Sequence, residues 1–212
     1  MIKLVKAVLM AATLGLAANA SAVQYEEGKH YETIDARASK KPEVKEFFSF
    51  YCPHCNNFEP VVKELKTLLK DGVKFKKSHV DFSGPRDPEI QTILAQGYAT
   101  ANVLPQKDAL VAAVFNHIHG KRARINELAD MKDIFVSQGV SAEDFDKYYN
   151  SFSVRTMASK MKRDQEYYQQ KGALKGVPTF IVNGKYRVIL GADSGISDAK
   201  SMADLINYLA DK

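Results

Sequence analysis

Apolar and polar residues follow two different periods on either side of Cys52. Residues 43–51 form an apolar, aromatic run that is typical of a buried strand, and this run stops at the cysteine. From residue 56 onward the apolar positions recur at the three- and four-residue spacing of an amphipathic helix. Asp71-Gly72 ends that helix, and residues 73–82 alternate as a second strand. Strand, helix and strand in this order predict a parallel pair joined by a right-handed crossover.

The middle of the chain has helical periodicity and no strand signal. Glycine and two prolines within residues 83–88 break the preceding strand pattern. The predicted helices cover residues 89–101, 106–117, 127–138 and 141–151, and a segment of mixed polarity over 154–170 leads back. We interpret this stretch as a helical insertion between the two halves of an α/β unit.

The second half of that unit is predicted to be a hairpin followed by a helix. Asn183-Gly184 separates two apolar runs, at 176–182 and 185–189, and this dipeptide is a strong hairpin signal. A closing helix is expected over 197–209, and an edge strand over 25–31 near the start of the chain. The pattern therefore predicts the α/β fold class.

The first 22 residues have the pattern of a secretory signal peptide. Lys3 and Lys6 precede an apolar run over 7–18, and Ala20-Ser21-Ala22 is a small-residue cleavage site, so the mature chain is expected to begin at Val23. The apolar run is shorter than the roughly 20 residues that span a bilayer, which makes an uncleaved anchor the weaker alternative. Export would place the protein in a compartment where disulfides form and persist.

The charge of the chain gives little support for a nucleic-acid partner. The net charge of +5 falls to +3 when the two signal lysines are removed. Basic residues cluster at 74–77 and at 121–124, but neither cluster is interleaved with aromatic residues as a nucleic-acid platform would be. We interpret both clusters as solvated faces.

The chemistry is expected at Cys52-Pro53-His54-Cys55, where the buried strand gives way to the helix. N–H groups in the first turn of a helix have no partner within the helix, and the helix dipole is positive there, so a thiolate at Cys52 is favoured. Pro53 suits the first turn because its missing N–H is not needed there. Residues three apart on a helix are neighbours, so the two cysteines can form and break a disulfide with little backbone movement.

Two other roles for the cysteine pair stay open at this point. The pair could be a structural disulfide, although so short a loop removes little entropy from the unfolded chain. It could be half of a zinc site, which needs two further ligands. His117 and His119 are the one close histidine pair in the chain, and on a helix they would point to different faces. No metal site is therefore predicted.

Two charged residues share strand faces with apolar neighbours. Glu46 has the parity of Phe48 and Phe50, and Lys77 has the parity of Val73 and Phe75. If those faces are buried, the two charges are buried too, and an ion pair between them would avoid the cost of unpaired burial. Exposure of either charge at a strand end is the alternative.

Taken together, these segments resemble the DsbA family of exported thiol oxidases with a thioredoxin fold. The resemblance covers the mature chain and is carried by Glu46-Phe47-Phe48-Ser49-Phe50, by the Cys-Pro-His-Cys segment, by Gly176-Val177-Pro178 and by Val182-Asn183-Gly184-Lys185-Tyr186. It implies a thioredoxin-like domain formed by residues 23–84 and 172–212, with a helical domain over 85–171 inserted between its two parts.

The resemblance also implies roles for individual residues. Cys52 is expected to be the exposed nucleophile and Cys55 its buried partner, while His54 helps to stabilise the Cys52 thiolate. Pro178 corresponds to the family's cis-proline, and the backbone of Val177 is expected to hydrogen-bond a substrate strand. Pro53, Glu46 and Lys77 are expected to tune the site, the last two as a buried ion pair.

The activity implied is donation of the Cys52–Cys55 disulfide to unfolded exported proteins with free cysteines, in the periplasm and without any other cofactor. A DsbB-like, quinone-linked membrane protein would re-oxidise the pair, and the protein would be a monomer. Two alternatives stay open: a disulfide isomerase or reductase, and a non-catalytic exported binding module with a local disulfide.

Overall fold

The computed structural model describes residues 25–212, so the predicted signal peptide and its cleavage site lie outside the described residues. The elements of the described chain run in the following order. They are β1 (Tyr31–Thr33), β2 (Glu43–Phe48), α1 (Pro53–Leu68), β3 (Lys74–His79), α2 (Pro88–Val103), α3 (Lys107–Phe115), a π-helical turn (Asn116–Gly120), α4 (Leu128–Ser137), α5 (Ala142–Tyr149), α6 (Phe152–Gln170), β4 (Thr179–Val182), β5 (Tyr186–Val188) and α7 (Ala199–Ala210).

The strands form one mixed sheet in the order β1-β5-β4-β2-β3. β2 and β3 are parallel and are joined through α1, while β4 pairs antiparallel with both β2 and β5. Helices α2 to α6 lie between β3 and β4 in the chain. The predicted fold class, an α/β thioredoxin-like fold with a helical insertion, is confirmed.

Strand β2 is buried on both faces. Val44 packs in a cluster with Val62 and Leu65 of α1 and with residues of α7, whereas Phe47 packs on the opposite face with Tyr168 of α6. Phe48 belongs to a third cluster, which joins the end of β2 to the interior of the helical insertion and contains both cysteines. The segment that leads to Cys52 is therefore fixed by packing on two sides.

Three strand predictions were wrong at their ends. The edge strand expected over 25–31 begins only at Tyr31, because Gly28 adopts a left-handed conformation with φ of 85° and the chain turns there. β2 ends at Phe48 and not at residue 51, and β3 ends at His79 and not at residue 82. The residues beyond Phe48 turn away from the sheet to begin α1.

The helix predicted over 106–117 also differs from the structure. α3 ends at Phe115, and the chain continues as a π-helical turn through Gly120, closed by the bond from the N–H of Lys121 to the carbonyl of Asn116 at 2.8 Å. Such turns widen the helix and redirect its side chains. Within residues 25–212, no helix combines the length and apolar content that a membrane span needs.

Candidate active site

The turn before Cys52 is held by a serine. The N–H of Cys52 donates to the carbonyl of Ser49 at 3.1 Å, and the N–H of Tyr51 donates to Ser49 Oγ at 3.2 Å. Ser49 Oγ itself donates to the carbonyl of Ser83 at 2.8 Å. These bonds fix the direction in which the chain enters α1.

Cys52 is the N-cap residue of α1, and its sulfur takes the place that an Asp or Ser oxygen usually occupies. Its Sγ accepts a hydrogen bond from the N–H of Cys55 at 3.1 Å, and Pro53 is the first residue of the helix. No acidic side chain lies in the first turn of α1. The unpaired N–H groups there are therefore left for the sulfur.

These contacts separate the two thiols in acidity. A hydrogen bond from the Cys55 side chain lowers the pKa of Cys52 to about 6, aided by the backbone N–H groups of Cys55 and His54 and by the charge of His54, while burial works in the opposite direction. The same side-chain hydrogen bond, together with burial, raises the pKa of Cys55. Near neutral pH the first proton is therefore lost from Cys52.

The expectation that Cys52 is exposed was wrong. Cys52 keeps only 5% of its solvent-accessible surface, and Cys55 keeps none. Solvent therefore reaches Cys52 slightly and does not reach Cys55. Both are free thiols in this structure. The cause is long-range packing, because the carbonyl of Val177 lies 3.4 Å from Cys52 Sγ. Pro53 and His54, by contrast, are exposed.

Val177, whose carbonyl lies beside the Cys52 sulfur, is followed by Pro178 just before β4. The peptide bond between them is cis. β4 begins only at Thr179, so these two residues precede the paired part of the strand. Thr179 Oγ1 donates to the carbonyl of Gly176 at 2.7 Å and holds this short segment next to the cysteines.

Glu46 and Lys77 form an ion pair beneath α1. They are register partners on β2 and β3, and Lys77 Nζ lies 3.3 Å from Glu46 Oε2. The Lys77 side chain is 4% exposed and the Glu46 side chain is completely buried, which decides between the two alternatives left by the sequence. Lys77 Nζ also lies 4.3 Å from the centre of the Phe48 ring, a cation–π contact.

Glu59, which the sequence reasoning missed, is a second partner of Lys77. Its carboxylate forms an ion pair with Lys77 Nζ and remains partly exposed. Burial raises the pKa of Glu46 to about 7, although Lys77 acts to lower it. Burial alone would lower the pKa of Lys77, but the two carboxylates outweigh it and raise that pKa. The position of Glu59, four residues after Cys55 on the same face of α1, was the available signal.

Two histidines hydrogen-bond the backbone N–H and the backbone carbonyl of Phe50, and neither was predicted to belong to the site. His79 Nε2 accepts the N–H of Phe50 at 3.3 Å, and His119 Nε2 donates to its carbonyl at 2.8 Å. Burial lowers the pKa of His79 to about 3, so this ring stays neutral. The backbone two residues before Cys52 is thus fixed from both sides.

The described residues offer no metal centre. Across residues 25–212, no group of three or more His, Cys, Asp or Glu side chains could hold a metal ion. A cavity of about 800 Å³ between α2 and α6 includes His79 in its wall but neither cysteine. The groups that the structure brings together at this site are two thiols and the backbone of the segment that precedes β4.

Comparisons with known proteins agree with this geometry. Residues 43–198 match the family described as DSBA-like thioredoxin domain. The chain is 38% identical to the thiol:disulfide interchange protein DsbA of Salmonella typhimurium over 210 residues, which is 96% of this chain and 97% of the relative. For DsbA of Escherichia coli K12 the identity is 36% over the same shares. A crystal structure of DsbA from Proteus mirabilis superimposes with a TM-score of 0.77 at 31% identity, covering 89% of this chain and 98% of that one.

Proposed function

The chain belongs to the DsbA family of thiol:disulfide oxidoreductases, and on that premise we propose that it oxidises dithiols in newly exported proteins. The observation that carries the proposal is the position of Cys52 Sγ at the N-terminus of α1, where it accepts the N–H of Cys55 at 3.1 Å. Groups that stabilise the Cys52 thiolate favour the reduced protein. Its disulfide is then readily passed to other proteins.

The reaction proceeds by two exchanges at sulfur. A client thiolate attacks Cys52 Sγ of the Cys52–Cys55 disulfide, a mixed disulfide forms, and Cys55 leaves and takes up a proton. A second client thiolate then attacks the client sulfur of the mixed disulfide and expels the Cys52 thiolate. The client loses two electrons and two protons overall, and the cysteine pair is reduced. The lowered pKa of Cys52 makes it a good leaving group in the second step.

The neighbouring residues have supporting roles in this proposal. His54 and Pro53 favour the Cys52 thiolate, and Val177 and Pro178 present backbone to an extended client segment by strand addition. The Val177 carbonyl, 3.4 Å from Cys52 Sγ, supports this placement. Glu46 and Lys77 lie beneath the site and tune it, since the charge of Glu46 adds to the hydrogen bond with Cys52 and to the burial that raise the pKa of Cys55.

The proposal extends to where the protein works and what restores it. We infer that the signal peptide is cleaved after Ala22 and that a monomer acts in the periplasm. Each turnover leaves the cysteine pair reduced, so an oxidant is required, and we propose a DsbB-like membrane protein that passes the two electrons to a quinone. The similarity of the chain to DsbA proteins supports the proposed compartment and the proposed re-oxidising partner.

The test is stoichiometric oxidation of a reduced, unfolded protein that contains two cysteines. Oxidised protein should form one client disulfide per Cys52–Cys55 disulfide consumed. The Cys52→Ser variant should form no client disulfide. In a separate assay, in which the client cysteine is supplied as an activated disulfide, the Cys55→Ser variant should accumulate a mixed disulfide between Cys52 and the client.

Two results would replace this assignment. Faster recovery of a scrambled substrate than oxidation of a reduced one would indicate an isomerase. Slow alkylation of the reduced protein at mildly acid pH would indicate a binding module whose cysteines only form a local disulfide.

A further inference from the structure

A basic loop follows the π-helical turn and has no part in the mechanism above. It consists of Lys121–Arg124, in which Lys121, Arg122 and Arg124 are exposed. None of these three cations forms an ion pair with any residue between 25 and 212. Surface cations are usually interspersed with acids, so three free ones in four residues leave a local positive potential.

The loop is attached at both ends to the residues just before Cys52. On one side His119 Nε2 donates to the carbonyl of Phe50 at 2.8 Å. On the other side the N–H of Ile125 donates to the hydroxyl of Tyr51 at 2.9 Å. The basic loop therefore lies between two anchor points on the active-site turn.

The loop is also held internally. The N–H of Ala123 donates to the carbonyl of His117 at 3.0 Å, and His117 Nε2 lies 3.3 Å from the carbonyl of Arg124. Arg122 adopts φ of 54°, a left-handed conformation that is uncommon outside glycine and that needs support from its surroundings. A constrained loop presents its charges in a defined place.

Three acids that follow the loop or precede α2 form no ion pair with these cations, and their carboxylates accept N–H groups at helix ends. Asp87 caps α2 and accepts the N–H groups of Glu89 and Ile90. Glu127 and Asp130 form the capping box of α4, and Asp130 also accepts the N–H of Asn126 at 2.7 Å. Their charges reduce the potential of the loop but leave its donors unpaired.

A surface depression of about 470 Å³ lies between the loop and the active-site turn. Its wall includes Tyr51, the residue before Cys52, together with Ile90, Arg124 and Ile125, and it also includes one acid, Asp87, whose carboxylate accepts the first N–H groups of α2. The apolar side chains could contact a client backbone or methylene groups, and Arg124 can bind a carboxylate in a bidentate manner.

We propose that the basic loop and this depression form a subsite for acidic residues that lie close to the reacting cysteine of a client. This inference rests on the proposed function, because it names the class of client segment that the oxidase prefers. Exposed charges act mainly on encounter and orientation, and they are screened beyond about 8 Å at physiological salt. We expect a preference of about three- to tenfold in the second-order rate constant, as for surface electrostatic effects near 1 kcal/mol.

The experiment compares dithiol peptides that differ only beside one cysteine, with Asp-Glu, Asn-Gln or Lys-Lys in those positions. Stopped-flow measurement gives the rate constant for reaction with the oxidised protein. Acidic neighbours also change the acidity of the peptide thiol, so each rate is divided by the rate of the same peptide with hydroxyethyl disulfide, an uncharged reagent. The normalised acidic-to-neutral ratio should be several-fold at low salt and should approach one in 1 M NaCl.

The variant Lys121→Gln/Arg124→Gln should bring the ratio close to one. Lys41→Gln/Lys74→Gln is the matched control, because it removes the same charge from exposed positions at the opposite end of β2 and β3 and should keep the wild-type ratio. Arg122 is left unchanged because of its backbone conformation.

A wild-type ratio near one, or an equal loss in both variants, would overturn the subsite. The salt dependence of the wild-type ratio tests the subsite independently of how well either variant folds. Failure of the neutral peptide to be oxidised at all would instead overturn the proposed function, so the two failures are distinguishable.

Discussion

Cys52 at the N-terminus of α1 and Glu46 beneath the same helix are both acids, yet their surroundings shift their pKa values in opposite directions. Hydrogen bonds lower the pKa of Cys52 to about 6, and burial raises the pKa of Glu46 to about 7. Cys52 meets backbone N–H donors and the thiol of Cys55, whereas Glu46 meets one lysine that it shares with Glu59. The number of donors offered to the anion decides whether burial is overcome.

The two shifts also have opposite effects on stability. A lowered pKa at Cys52 stabilises the reduced fold fully above the unfolded pKa near 9, and this contribution is lost as pH falls through about 6. A raised pKa at Glu46 gives a contribution that is complete below the unfolded value of 4.5 and is lost as pH rises through about 7. Only the first contribution disappears when the disulfide forms.

The largest effect is expected when the buried pair is broken. Lys77→Met leaves Glu46 without a cation, and removal of one partner from a buried pair costs about 3–5 kcal/mol. Urea unfolding of the oxidised protein at pH 8 measures this loss. Lys76→Met is the control, since Lys76 pairs with Glu43 on the surface and should cost at most about 1 kcal/mol. Equal losses in the two variants would show that the Lys77 pair is not buried in solution.

The second-largest effect is expected for the difference in thermal stability between the reduced and the oxidised protein. At pH 7 to 8 the reduced protein should melt several degrees above the oxidised protein, because only the reduced form contains the stabilised thiolate. The difference should shrink between pH 7 and 5, as Cys52 becomes protonated near pH 6. Calorimetry of both redox forms across this range measures the gap. A gap that is constant with pH would remove Cys52 ionisation as its cause.

A smaller effect is expected from the two residues between the cysteines. Replacing Pro53-His54 with Gly-Pro removes the backbone N–H at position 54, because proline has none, and also the charge of His54, and both lower the pKa of Cys52. The protein should become less oxidising. Its equilibrium constant with glutathione should change by about tenfold for each unit by which the pKa of Cys52 rises. An unchanged constant would exclude this dipeptide as a tuning element and leave the helix end as the cause.

The smallest effect is expected for Glu46→Gln, which mimics the protonated side chain. In the oxidised protein at pH 8 the variant should be about 1 kcal/mol more stable than wild type, because burial disfavours the Glu46 anion more than Lys77 favours it, and Lys77 keeps its ion pair with Glu59. At pH 5 the two proteins should unfold at the same urea concentration, because Glu46 is then protonated. Lower stability of the variant at pH 8 would mean that the Lys77 attraction outweighs the burial of Glu46.

Local patterns predicted the elements and the reactive pair. The change of period at Cys52 predicted a strand before a helix, and Asn183-Gly184 predicted the hairpin. Strand parity placed Glu46 and Lys77 on the same faces as apolar neighbours but left open whether those faces were buried. Asn183 and Gly184 both have positive φ, as such a turn requires. These features depend on neighbours in the chain, so the sequence alone contains them.

Contacts between distant segments were not predictable in the same way. Cys52 is covered by Val177, which lies 125 positions away. His119 contacts Phe50 from the π-helical turn at the end of α3, and the hydrophobic periodicity of the sequence does not predict that turn. Glu59 lies on the same face of α1 as Cys55, but helical spacing does not predict that its strand partner is Lys77. The reactive residues were therefore predicted, and much of the structure that supports them was not.

The outer strands have a consequence for a protein surrounded by unfolded chains. β1 is only three residues long, and the opposite margin, β3, carries the exposed Lys74 and Lys76. Short margins and outward lysines oppose the attachment of a foreign strand, which is how many sheet proteins avoid co-aggregation. Unfolded polypeptide is thereby discouraged from adding to the sheet at places where no disulfide can be delivered.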